Sequence, residues 1–262
     1  MSYLLISTVA FLVSGLTLYS GFGLGTMLMP VFALFFPVEV AVAATAIVHS
    51  SNNLFKIAVI GRHADRSLVL RFGVPAMFSA FVGAAALGYL SGLGQLASYT
   101  IGSRTAVINP IKLVMALLMF SFALFELLPT LRSLKFDRKY LFLGGVLSGF
   151  FGGLSGHQGA LRSAFLVKVG VSTEAFVGTN AVIGFMVDMA RIVTYAILFF
   201  LERTANPIIA GEWPLILAGI CSAFIGVLIG KRFLHKITMK TVQTLAGVLL
   251  LGIALALGAG LV

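Results

Sequence analysis

Apolar positions run almost unbroken along this chain, and the interruptions are short and rich in glycine or in basic residues. An apolar stretch from Tyr3 to Ser20 meets the run GFGLG and resumes from Thr26 to Phe36; Lys139 to Leu154, the run SGHQG and Ala160 to Val169 repeat that layout. The second limb of each pair has only about ten residues, too few to cross ~30 Å of hydrocarbon as a helix, so each pair reads as a re-entrant hairpin. Helices are expected to restart at Thr26 after the first glycine run and at Ala160 or Leu161 after the second. Three longer apolar segments follow each hairpin, near 38–60, 68–90 and 108–130, then near 174–200, 212–233 and 240–260.

The two layouts are related by a shift of 134 residues, which aligns Ser14-Gly15 with Ser148-Gly149, Gly25 with Gly159, Ala41 with Ala175 and Thr45 with Thr179. Farther along, SAFVG (Ser79 to Gly83) resembles SAFIG (Ser222 to Gly226). The chain therefore divides into an N-terminal repeat, 1–133, and a C-terminal repeat, 134–262. If each hairpin returns to its own side, or if both limbs cross, a unit makes an odd number of net crossings and the copies are antiparallel. Arg62, Arg66, Arg71, Arg132, Lys135, Arg138, Lys139, Lys168, Lys231, Arg232, Lys236 and Lys240 then share one face, against Arg104 and Arg203 on the other. A single broken crossing helix in place of each hairpin would split the basic residues almost evenly. The positive-inside rule thus favours inverted repeats in a cell (inner) membrane, with both termini outside the cytoplasm.

Composition agrees with the pattern. A mean hydropathy of +1.09, with 60% hydrophobic and 10% charged residues, places the chain among all-α integral membrane proteins whose function lies within the bilayer. The net charge of +10 sits in short loops between apolar segments, which excludes nucleic-acid binding in favour of membrane topology. The opening MSYLLISTVAFLVSG has no basic residues ahead of its apolar run and reads as a retained membrane segment. Cys221, in an apolar run, reads as packing, and no thiol or His-Glu spacing suggests a metal or other cofactor.

Candidate chemistry collects at the two breaks and on the segments after them. Non-helical backbone at membrane depth is tolerated only beside protein or a water-filled cavity. Inverted repeats bring two such breaks together near the midplane, with the N-termini of the following half-helices directed at the centre. Gly23, Gly25 and Thr26 mark the first break; His157, Gln158 and Arg162 mark the second. Thr45, His49, Asn52, Asn53 and Lys56 share one helix face, as do Asn180, Asp188, Arg191 and Tyr195, and Thr179 is the repeat equivalent of Thr45. Lys56 is expected to snorkel to the cytoplasmic face. Asp188 and Arg191 either neutralise one another or serve function, and Arg162 either pairs with Glu174 or Asp188 or stands as a fixed charge for ligand. A guanidinium matches an oxyanion through paired hydrogen bonds, so the substrate-binding set, Gly23, Gly25, Thr26, Thr45, His49, Asn52, Asn53, His157, Gln158, Arg162, Thr179, Asn180, Asp188 and Arg191, points to a small anion.

The stretch GFGLGTMLMPVFALFFPVEVAVAATAIVHSSNNLFK resembles the opening of the TauE/SafE family of membrane proteins, most clearly at Gly23, Gly25, Pro30, Ala41 and Thr45. The resemblance extends over both halves. It departs at Gly-His-Gln-Gly in the second half and at Ala164, which aligns with Pro30. It implies export of sulfur-containing anions such as sulfite or organosulfonates, by a secondary transporter rather than an enzyme. An anion channel is the alternative within transport. An intramembrane enzyme using His157 or His49 lacks any recognisable catalytic spacing, and no catalytic residues are assigned. Gly226 and Gly230, a G-x-x-x-G pair, are expected to allow a tight helix crossing; a coupling proton carried by His49, His157 or Asp188, and a homodimer on G-x-x-x-G-like faces, are partners that this reading leaves open.

Overall fold

A computed structural model of the chain describes residues 2–20, 23–102, 104–201, 213–233 and 239–262. Gly21 and Phe22 of the first glycine run, and the basic residues Arg203 and Lys236, lie outside the described residues. The fold is all-α apart from one hairpin. Helices α1 (Ser2–Ser20) and α2 (Leu24–Ala33) flank the first break, followed by α3 (Val38–Ile60), α4 (Arg66–Ser91) and α5 (Pro110–Leu127). Helices α6 (Leu141–Ser155) and α7 (Gly159–Leu166) flank the second, followed by α8 (Thr173–Leu201), α9 (Trp213–Phe233) and α10 (Met239–Gly258). The half-helices start earlier than expected, at Leu24 and Gly159, because glycine at the break lets the first turn form at once.

Among the described residues, three helices are long and apolar enough to cross a membrane: Arg66–Ser91, Pro110–Leu127 and Thr173–Leu198. Ser2–Leu16, Trp213–Ile229 and Gln243–Gly258 are apolar but shorter. α3 has the length and lacks the hydropathy, because its buried stripe is polar from Thr45 to Lys56. The surface is the inverse of a soluble protein's. Leu4, Leu70, Phe78, Leu117, Leu228 and Leu255 are each more than half exposed, whereas Asp188 and Arg191 are fully buried. Such an apolar exterior is suited to lipid. Cys221 lies exposed on α9 rather than packed inside, since the buried side of that helix is turned by Ile216, Ala223 and Val227.

Helix pairing crosses the chain rather than following it. α1 packs along α9, α4 along α6, α5 along α10, and α3 against both α8 and α9, while α8 also packs on α4. Glycine sets the closest approaches. A Cβ at Gly145, Gly149 or Gly153 of α6 would strike the backbone of Phe72, Ala76 or Ala80 in α4, and one at Gly226 of α9 would strike the backbone of Phe11 in α1. Small residues at such crossings let main chains touch, which replaces the hydrophobic driving force that lipid cannot provide. α4 opens with Asp65 accepting a hydrogen bond from Leu68 N at 3.0 Å and carries a π-turn at Val69–Gly73. Pro75 explains the widened turn, because its ring lacks an N–H and clashes with the preceding carbonyls.

A hairpin of β1 (Ala97–Ile101) and β2 (Arg104–Ile108) joins α4 to α5, where only a connection is expected from the apolar pattern. It also holds the chain end, with Val107 N donating to Gly260 O at 3.2 Å. The α4–α6 crossing generates a direct test. Gly149→Val should lower stability by at least about 1–3 kcal/mol or prevent folding, while Gly94→Ala, whose Cβ meets nothing within 4 Å, should leave the detergent unfolding midpoint unchanged. Equal midpoints for the two variants would contradict this packing.

Candidate functional site

The polar stripes of α3 and α8 face each other, and Asp188 is their meeting point. His49 Nδ1 lies 2.6 Å from Asp188 Oδ2, to which Asn53 Nδ2 also donates at 3.2 Å. Arg191, one turn along α8, donates from Nε at 3.1 Å and from Nη2 at 2.8 Å to the other oxygen, Oδ1. Both carboxylate oxygens are thereby engaged, one within α8 and one across to α3. Helical spacing explains the set: positions three and four apart stack on one face, so His49 and Asn53 arrive together, as do Asp188 and Arg191.

Arg162 has a different environment. It is 1% exposed, donates from Nε to Asn180 Oδ1 at 2.6 Å and from Nη1 to Gln158 Oε1 at 3.1 Å. Among the described residues no carboxylate forms an ion pair with it, so neither Glu174 nor Asp188 takes the pairing role weighed for them. Asn180 Nδ2 donates to Phe176 O at 2.9 Å, which fixes the amide with its oxygen toward the guanidinium. Lys56 is buried at 4% exposure rather than snorkelling to a face, with Arg162 among the charges near it. α3 places that stem on the same inward stripe as Asn52 and Asn53.

The breaks converge on this cluster. Gly23, with φ 120°, turns the chain into α2, and Gly156, with φ 79°, ends α6; both conformations favour glycine. A Cβ on Gly25 would stand 3.3 Å from Gly156 O and 3.7 Å from the His49 ring. On Gly156 it would stand 2.8 Å from Arg191 Nη1, and on Gly184 it would crowd Asn53 Nδ2 and Arg162 Nη1. Gly184 escaped the sequence reading, although it lies midway between Asn180 and Asp188 on the polar stripe. His157 stacks on Phe122 of α5 with ring centroids 5.6 Å apart. Tyr195 donates to Gly153 O at 2.5 Å, tying α8 to α6.

The remaining candidates are engaged locally. Thr45 Oγ1 donates to Ala41 O at 2.7 Å, and Thr179 Oγ1 accepts from Asp65 N at 2.9 Å, where α8 meets the α3–α4 connection. Asn52 Oδ1 accepts from Ser14 Oγ at 2.7 Å, a link from α1 that its sequence position did not reveal. Thr26 is buried in the first turn of α2. Among the described residues several buried donors have no acceptor: Asn52 Nδ2, Gln158 Nε2 and Arg191 Nη1, with both His157 ring nitrogens also unpartnered. Two buried guanidinium groups, Arg162 and Arg191, accompany the carboxylate of Asp188, which is ion-paired to Arg191. Buried donors that lack acceptors have an unmet demand for an anion. Among the described residues no group of His, Cys, Asp or Glu could hold a metal ion.

Asp188 is accordingly expected to carry the local stability. Asp188→Ala should destabilise the protein by about 3–5 kcal/mol by stranding Arg191, and adding Arg191→Met should recover a large part of that loss. Detergent unfolding of the single and double variants measures it; additive losses would disprove the coupling. In comparison with known proteins, the family described as Sulfite exporter TauE/SafE matches residues 3–257. No curated protein and no solved structure matches the chain.

Proposed function

The chain belongs to the sulfite exporter TauE/SafE family, a family of multi-pass membrane transporters and not of enzymes, and from that premise we propose that it exports a small sulfur oxyanion, sulfite or an organosulfonate. The observation that carries the proposal is the set of buried donors without acceptors among the described residues, beside an Arg162 held only by neutral amides, where the two glycine breaks meet. Arg162 is the primary ligand, because neutral amides hold it and leave its charge for a substrate. Gln158 Nε2, Asn52 Nδ2, Arg191 Nη1 and His157 supply further hydrogen bonds, and the first-turn N–H groups of α2 and α7 add their dipoles. Thr26, Thr45, Thr179 and Asn180 shape the walls.

Transport proceeds by alternating access between two inverted repeats, 1–133 and 134–262, each opening with a re-entrant hairpin. The exchanged packing supports this: α1 on α9 mirrors α6 on α4, α3 on α9 mirrors α8 on α4, and α3·α8 and α5·α10 each pair equivalent helices. At 10 and 8 residues, α2 and α7 rise only about 15 and 12 Å, half the hydrocarbon depth. The protein sits in the cell (inner) membrane with both termini outside the cytoplasm. The His49–Asp188 contact, which spans the repeats, is where a coupling proton would act, and a homodimer would form through the exposed apolar helix faces.

Arg162, Arg191 and Asp188 are each at 1% exposure or less, which favours a carrier that occludes its ligand over an open channel. Arg162→Ala should lower saturable sulfite exchange in proteoliposomes by roughly 30-fold or more, the loss expected when a buried charge contact of at least ~2 kcal/mol is removed. Wild-type exchange in the variant would remove Arg162 from the site. Uncoupled anion current in place of saturable exchange would replace the carrier by a channel.

A further inference from the structure

A second polar recess lies away from the glycine breaks, between the ends of α5, α7 and α10. Its volume is about 230 Å³, and its lining includes Glu126, Arg132, Lys135, Ser163 and Gln243. That size suits a small metabolite rather than a drug-sized ligand. Glu126 is 2% exposed, yet among the described residues its Oε2 has no hydrogen-bond partner, and neither has Ser163 Oγ at 8% exposure. The close approach that Gly247 of α10 allows holds the Glu126 stem in place, and Gln243 bonds its carboxylate. Arg132 is fixed at the rim, donating from Nε to Glu126 O at 3.0 Å, and the exposed Lys135 stands beside it.

An unpartnered carboxylate oxygen and an unpartnered hydroxyl, both buried, call for a donor with several hydrogens. Two cations at the rim call for an acid group. A plain anion would satisfy the rim and set a like charge against Glu126; a plain amine would satisfy the depth and face Arg132 and Lys135. We propose that this recess binds a small zwitterion, a primary ammonium held by Glu126 and Ser163 with its carboxylate or sulfonate held by Arg132 and Lys135. The site is separate from Arg162, since the Ala160, Ser163 and Ala164 face of α7 lines the recess while Arg162 hydrogen-bonds to α8. It does not depend on sulfite being the transported species.

Calorimetry on the purified full chain tests this with three probes: 2-aminoethanesulfonate, ethanesulfonate and ethylamine. The zwitterion should bind at least tenfold more tightly than either fragment. Glu126→Gln and, as the milder change, Ser163→Ala should each weaken it several-fold while leaving sulfite binding as in the parent. Arg162→Ala should do the reverse, abolishing sulfite binding and sparing the zwitterion. Equal binding of ethanesulfonate and the zwitterion, retained in Glu126→Gln, would overturn the proposal in favour of a protonated Glu126 serving a plain anion. Absence of zwitterion binding, or its loss in Arg162→Ala, would overturn it outright, whereas failure of sulfite to bind the parent protein would count only against the transport reading.

Discussion

One carboxylate organises the interior of this protein. In a low-dielectric setting an isolated charge is costly, and two arginines cannot be gathered there without a counter-charge. Asp188 is that counter-charge among the described residues of the cluster, and it is shared: one oxygen serves Arg191 on its own helix, the other serves His49 and Asn53 on α3. The contact fixes the register of α3 on α8. Because α3 and α8 follow the two breaks, that register also sets how closely Gly25 approaches Gly156.

A single aspartate leaves the set incomplete. Arg162 is held by two amide oxygens, which orient a guanidinium without neutralising it. Orientation without neutralisation suits the anion site proposed for Arg162, since a full ion pair would have to be broken each time the ligand arrived. The two arginines therefore have different roles: Arg191 is tied to Asp188 through Nε and Nη2 and offers Nη1 near Gly156, whereas Arg162 has its whole charge in reserve.

Much of this was legible in the sequence because helical periodicity is local. The stripes from Thr45 to Lys56 and from Asn180 to Tyr195 follow from spacing alone, and the breaks follow from glycine. What spacing cannot give is which stripe faces which. The Asn52–Ser14 bond, the His157–Phe122 stack and the choice of Asn180 for Arg162 each depend on packing between distant segments. Lys56 was misjudged on that account, since a lysine near a helix end snorkels only when its face points outward. The hairpin at 97–108 had a signal, with Tyr99, Thr100 and Ile101 before Gly102 and Thr105, Val107 and Ile108 after it. It was masked by the apolar runs on either side.

The division of labour among glycines closes the argument. Gly145, Gly149 and Gly153 seat α6 directly on the α4 backbone, and Gly226 seats α9 on α1, so those two crossings are sterically fixed. Gly23, Gly156 and Gly184 are instead placed where a side chain would meet the chain turn, Arg191, or Asn53 and Arg162. The first group makes each crossing pair rigid, joining an opening helix of one half to a later helix of the other. In the second group, Gly156 and Gly184 leave room for Arg191, Asn53 and Arg162 to approach the main chain. The α3–α8 seam carrying Asp188 lies between the two crossing pairs, with α3 packed on α9 and α8 packed on α4.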